Sequence, residues 1–188
     1  MRTVFATCIT GFLLLLTSSC AGPAPEYRPT ATIKDLMDSV VDPNADFLWD
    51  SVATEVSAKG IIEKAPSTPD EWREARRHAI ALVEISNSLQ IPGRPVAQPG
   101  ERADDPEVEQ GPEVIKTLID SDRASWIKFA HGLHDASALM LKYIDNKDVK
   151  GVLDAGEKLD EACESCHKTY WYPDKKGGTN GSTGSVRK

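Results

Sequence analysis

The chain of 188 residues holds little that would build a sheet: aromatics make up only 6% of it, and stretches of alternating β-branched residues are absent. That poverty points to a helical protein, in which an apolar residue is needed every third or fourth position rather than every second. An excess of basic residues is lacking too. Lys and Arg number 22 against 29 Asp and Glu, a formal charge of −7, which argues against non-specific nucleic-acid binding and favours partners with a positive surface. The longest apolar run, ending in Leu13-Leu14-Leu15-Leu16, is too short to span a bilayer. Nothing in the sequence sets a general acid against a general base around a substrate, so no enzyme is expected. What remains, at 40% hydrophobic content, suits one domain with an ordinary core.

Residues 1–20 read as a secretory signal peptide: Arg2, an apolar run, then the small residues Thr17-Ser18-Ser19-Cys20. Cys20-Ala21-Gly22 resembles a bacterial lipoprotein cleavage site, in which the cysteine becomes the acylated first residue, although Thr17 stands where that signal carries leucine. Two outcomes stay open: a lipidated Cys20 anchoring the protein to a membrane, or plain cleavage nearby that releases a soluble periplasmic or exported protein. Residues 21–32, with Pro23, Pro25 and Pro29, read as a flexible tether, and 173–188, rich in glycine and serine, as a disordered tail. Residues 33–172 are left for the folded domain.

Within it the apolar spacing predicts helices. The first starts near Thr32 with Ile33, Leu36, Met37, Val40 and Val41 on one stripe, and Asp42-Pro43-Asn44 makes it kink or restart before Phe47, Leu48, Trp49 and Val52. Gly60 and Pro66 mark a break. Thr68-Pro69-Asp70-Glu71 is a capping box that opens a second helix to about Leu89, with Trp72, Ala75, Ala79, Leu82, Val83 and Leu89 inward. Pro92 to Pro112 carries no periodicity; a mobile excursion, a functional flap or a plain crossover would each account for it. Val114 to Ile119 reads as a short helical lead-in. Behind an Asp120-Ser121-Asp122 cap, a third helix places Trp126, Phe129, Ala130, Leu133, Ala136, Met140 and Ile144 inward. His78 reads as a solvated or edge residue. His131 and His134 invite an H-x-x-H metal reading, but the helical wheel turns them off the inner stripe, so they read as surface residues. The last helix, from about Asp148 to Tyr170, carries Val149, Val152, Gly156, Leu159, Cys163, Cys166 and Tyr170 as a bundle seam.

That helix ends in Cys163-Glu164-Ser165-Cys166-His167, the C-x-x-C-H signature of c-type haem attachment. The spacing has a chemical reason. Two thiols three residues apart lie on one helix face, where each can form a thioether with a haem vinyl group, and His167, one turn on from Cys163, can offer the iron an imidazole nitrogen as proximal ligand. A thioredoxin-like C-x-x-C needs a βαβ context and a zinc site a second ligand pair; the sequence has neither. A disulfide between positions i and i+3 of a regular helix requires distortion. The signature occurs once, so one covalent haem c is expected. Gly156, two turns earlier, is read as room for the flat macrocycle.

Four amphipathic helices with a haem site on the last resemble the class II cytochromes c, the cytochrome c′ family, over roughly residues 32–172. The resemblance implies an all-α, antiparallel four-helix bundle with haem attached to the last helix, and a one-electron carrier whose iron cycles between Fe3+ and Fe2+. The class I pattern, in which a methionine follows the motif, does not fit, because Lys168 to Lys188 contains none. In the resembling family the first helix supplies the residue over the distal haem face. Met37 is the candidate here, as sixth ligand or as plain core packing; Met140 is read as core. An apolar distal side would instead leave five-coordinate iron that binds NO or CO, a gas-binding protein with no carrier role. The acidic charge adds the expectation of redox partner proteins with an electropositive docking patch, with service as a haem subunit of a larger complex as an alternative; the resembling family tends to form homodimers, and the sequence leaves dimer and monomer both open.

Overall fold

The computed structural model describes residues 26–57 and 60–172. The signal peptide with Cys20, the first part of the tether and the 173–188 tail lie outside the described residues. The protein is all-α in its main elements: α1 (Ile33–Leu36), a π-helical turn (Met37–Val41), α2 (Asp42–Ser51), α3 (Pro69–Leu89), α4 (Pro112–Ser121), α5 (Arg123–Asp145) and α6 (Val149–Tyr170), with one small hairpin, β1 (Ala53–Ser57) and β2 (Gly60–Lys64). No helix of the described residues is long and apolar enough to cross a membrane.

The expected break at Asp42-Pro43-Asn44 takes the form of that π turn. Pro43 has no N–H to give and its ring crowds the carbonyl of the preceding turn, so the helix widens just before it. The Asp42 N–H reaches back to the Met37 carbonyl, and Asn44 Nδ2 donates to the Val40 carbonyl at 2.5 Å. The chain then continues as α2 without changing course into a loop.

Capping fixes the helix starts. The Thr32 side chain accepts from the Asp35 N–H at 3.0 Å while the Thr32 N–H donates to Asp35 Oδ2 at 2.8 Å. Thr68 and Glu71 repeat the arrangement at α3, and Asp122 and Asp148 cap α5 and α6.

Neighbouring helices pack in sequence: α2 on α3, α3 on α5, α5 on α6, and α6 back on α2, with α4 leaning on α5 and α6. Leu48, Leu82, Met140 and Leu159 are fully buried between them. Each such side chain contributes about 1.5–3 kcal/mol through removal from water.

Two expectations, at Val83 and Val149, are corrected, and two features are added. The hairpin was not foreseen, because neither Ala53–Ser57 nor Gly60–Lys64 alternates apolar and polar residues; they pair antiparallel from Ala53↔Lys64 to Ser57↔Gly60, and Gly60 has a φ of 125°, open to glycine. Val83 is only half-buried, its place on the inner face taken by Ser86. Val149 is exposed, since α6 meets α5 only from Gly151 and Val152 onward. The segment after α3 is a tied strap rather than a free excursion. Its Pro95 and Val96 carbonyls accept from the Ile33 and Lys34 N–H groups at 2.9 Å, donors that the first turn of α1 cannot satisfy itself. Arg94 is buried and donates to the carbonyls of Ala31 (2.5 Å) and Ser88 (3.2 Å). At the far end of the strap, Gln110 donates from its backbone to the Trp171 carbonyl and from Nε2 to the Tyr170 carbonyl, each at 2.8 Å.

Candidate functional site

Asp148 starts α6, and the seam Val152, Ala155, Leu159 holds its inner face against the core, so the following two turns carry Cys163, Cys166 and His167 to the same side. There they line a cavity of about 880 Å³. Met37 and Val41 from the π turn line it too, with Ala45 and Trp49 of α2, and α5 contributes Trp126, Phe129, Ala130 and Leu133. Every sequence-predicted site residue of the folded domain, Cys163, Cys166, His167 and Met37, therefore faces one cavity. His131 is exposed, and His134 pairs with its neighbour Asp135 at 3.1 Å; neither lines the cavity. Met140 is fully buried in the core.

The two cysteines are free, and burial pushes both thiols up to about 12, with the Asp42 carboxylate adding to the effect at Cys163. Neutral, desolvated thiols are poor at disulfide exchange, which needs a thiolate. The cavity mouth is acidic. Asp42, Asp46, Asp160 and Glu164 line it against the single cation Lys168 and the imidazole of His167. Crowding by protein atoms raises the Asp42 carboxyl above its ordinary range; His167 opposes the rise, while Asp38 and Asp46 add to it.

His167 has a partner that sequence reasoning missed. Its Nδ1 lies 3.2 Å from Tyr172 Oη, and Tyr172 Oη donates to Glu164 Oε1 at 2.9 Å. Burial first, and the Glu164 carboxylate second, raise the Tyr172 phenol, which keeps its proton. The available signal was the aromatic run Tyr170-Trp171-Tyr172 directly behind the motif. Trp49 was missed as well, and it corrects the reading of Gly156. The indole occupies the room that the glycine leaves: Trp49 Nε1 donates to the Gly156 carbonyl at 3.0 Å, and a Cβ on Gly156 would sit 3.4 Å from Trp49 Cδ1.

Comparisons with models of protein families, with characterised proteins and with solved structures give no match, so the site stands on its own geometry.

Proposed function

We propose that this chain is an exported monohaem c-type cytochrome of the class II kind, an electron carrier rather than an enzyme. The observation that carries the reading is the meeting of Met37, from the π turn that continues the first helix, with Cys163, Cys166 and His167, from the last, on one cavity. Its volume of about 880 Å³ lies within the range of about 300–1,000 Å³ usual for cofactor sites. The donor set fits haem c: two neutral thiols on one helix face for the vinyl groups, one imidazole as proximal ligand, and aromatic and aliphatic walls from α2 and α5. The round of packing from α2 through α3, α5 and α6 supports a four-helix bundle with the attachment site on its last helix.

Haem c bound here supplies a one-electron Fe3+/Fe2+ couple. Cys163 and Cys166 would hold the group covalently, and His167 would offer the iron an imidazole nitrogen. Met37 would offer the iron a thioether, a ligand that would favour the reduced form and raise the potential. Trp126, Phe129 and Leu133 exclude water from one wall. The acids at the mouth suit a redox partner with an electropositive docking patch. Export by the leader brings the chain to the compartment where bacteria complete haem attachment, with Cys20 either acylated as a membrane anchor or removed with the signal peptide. A homodimer through the helices remains part of the family resemblance.

The visible spectrum of the exported protein, oxidised and reduced, with and without carbon monoxide, tests the reading. Sharp low-spin bands indifferent to carbon monoxide are expected, lost in Met37→Ala. A high-spin spectrum that shifts with carbon monoxide would make the protein a five-coordinate gas binder, with Met37 a packing residue. A purified protein with no covalent haem would sink both.

A further inference from the structure

The end of α6 is built around His167 more closely than attachment requires. Beyond the last turn, the backbone N–H groups of Trp171 and Tyr172 both point at the His167 carbonyl, at 2.7 and 3.0 Å, and this tight return brings the Tyr172 ring to 5.6 Å from the imidazole, tilted by 60°. The strap fixes the return from outside through the Gln110 N–H on the Trp171 carbonyl. Tyr172 has one hydroxyl hydrogen, and it is given to Glu164 Oε1 at 2.9 Å. Its oxygen can then only accept from His167 Nδ1, 3.2 Å away, so the ring carries its proton on Nδ1 and leaves the Nε2 lone pair bare. Glu164 is itself held. Its other oxygen lies 3.4 Å from Lys168 Nζ, one turn on. The two free positions inside the C-x-x-C-H motif are thus not equivalent: Ser165 turns back to the Ala162 carbonyl, and Glu164 terminates a chain of hydrogen bonds that begins on the imidazole.

We propose that Tyr172 and Glu164 are positioning residues for His167, fixing which ring nitrogen is offered to the iron and raising its strength as a donor, an inference that rests on the haem reading above. A ligating imidazole whose other N–H is held by a charge-backed acceptor is a stronger base, which favours the oxidised metal. Tyr172 and Glu164 therefore lower the reduction potential, against the upward pull of a Met37 thioether.

The test uses the full chain with two readouts, in the wild type, Tyr172→Phe, Glu164→Gln and the double variant. The first is the lifetime of the His167 Nδ1 proton against exchange with water, by NMR, which can be read with or without haem. Tyr172→Phe is expected to shorten it by about tenfold, the loss of one charge-assisted hydrogen bond. The second is the reduction potential of the haem-loaded protein. Tyr172→Phe should favour reduction by about tenfold, about 59 mV for one electron. Glu164→Gln should shift it in the same direction by less, and should add almost nothing on top of Tyr172→Phe, because Glu164 acts through the phenol. An unchanged proton lifetime in Tyr172→Phe overturns the inference. So does a Glu164→Gln shift that persists undiminished in the double variant, which would make Glu164 a through-space charge. Absence of covalent haem in the wild type overturns the haem reading instead, and the proton lifetime still decides the hydrogen bond.

Discussion

At Glu71 a single carboxylate oxygen gathers the Ser67 N–H at 2.7 Å, the Ser67 hydroxyl at 2.9 Å and the Thr68 N–H at 2.8 Å. Backbone hydrogen bonds from Ser67 and Thr68, and then their hydroxyls, hold its carboxyl down from the ordinary 4.5 to about 2. A depressed carboxylate stabilises the fold above its unfolded pKa and loses that contribution as pH falls through the folded value. Wild type should therefore exceed Glu71→Gln in urea midpoint at pH 7, and the gap should close between about pH 4.5 and about pH 2. Ser137 is the opposite case, a fully buried hydroxyl with no hydrogen-bond partner among the described residues. Removing an orphaned polar group relieves its desolvation cost, so Ser137→Ala should stabilise the protein by about 1 kcal/mol in chemical denaturation. A loss of stability would mean that the hydroxyl has a water partner.

Among the elements, α6 owes its docking to a glycine. A Cβ on Gly151 would stand 2.2 Å from Tyr143 Cδ1 and 2.5 Å from its Cγ, so the whole ring of α5 would have to move, not just its tip. Gly151→Ala should cost about 1–3 kcal/mol in spite of alanine's better helix propensity, and Tyr143→Ala should restore only part of it in the pair, because the capping Asp148 carboxylate also stands 2.7 Å from that Cβ. The helices themselves were legible in the sequence, because their period and caps are local: Thr32, Thr68 and Asp122 begin helices where their side chains can reach the next free N–H. The π turn was legible only as a disturbance at Pro43, since the size of the widened ring depends on what packs beside it. The strap was not legible, as it has no period of its own and is held by carbonyls that meet the far ends of other helices. The site divides in the same way. Cys163, Cys166 and His167 could be read because the proposed haem attachment depends on a local spacing of three residues. Trp49 and Tyr172 could not, because one is joined to Gly156 across 107 positions of chain and the other folds back from beyond the helix.

For the molecule as a whole, the formal charge of −7 and the acids around the cavity mouth bear on the proposed docking of a redox partner. Electron exchange with a cationic redox protein should slow as salt shortens the screening length from about 10 Å at 0.1 M to about 3 Å at 1 M, while exchange with a neutral small reductant should not. Equal salt dependence in stopped-flow measurements would remove the mouth from the docking surface. The strap joins the ends of this whole. It answers the free amides at the start of the first helix with carbonyls, and the free carbonyls at the end of the last helix with an amide and a side-chain NH2. The π turn and α2 that follow the first of these helices line the cavity together with the last, so the polypeptide is closed there like a clasped bracelet. The amide protons of Ile33, Lys34 and Gln110 should then trade with solvent deuterium on a common clock, since none can be released without unfastening the clasp for all.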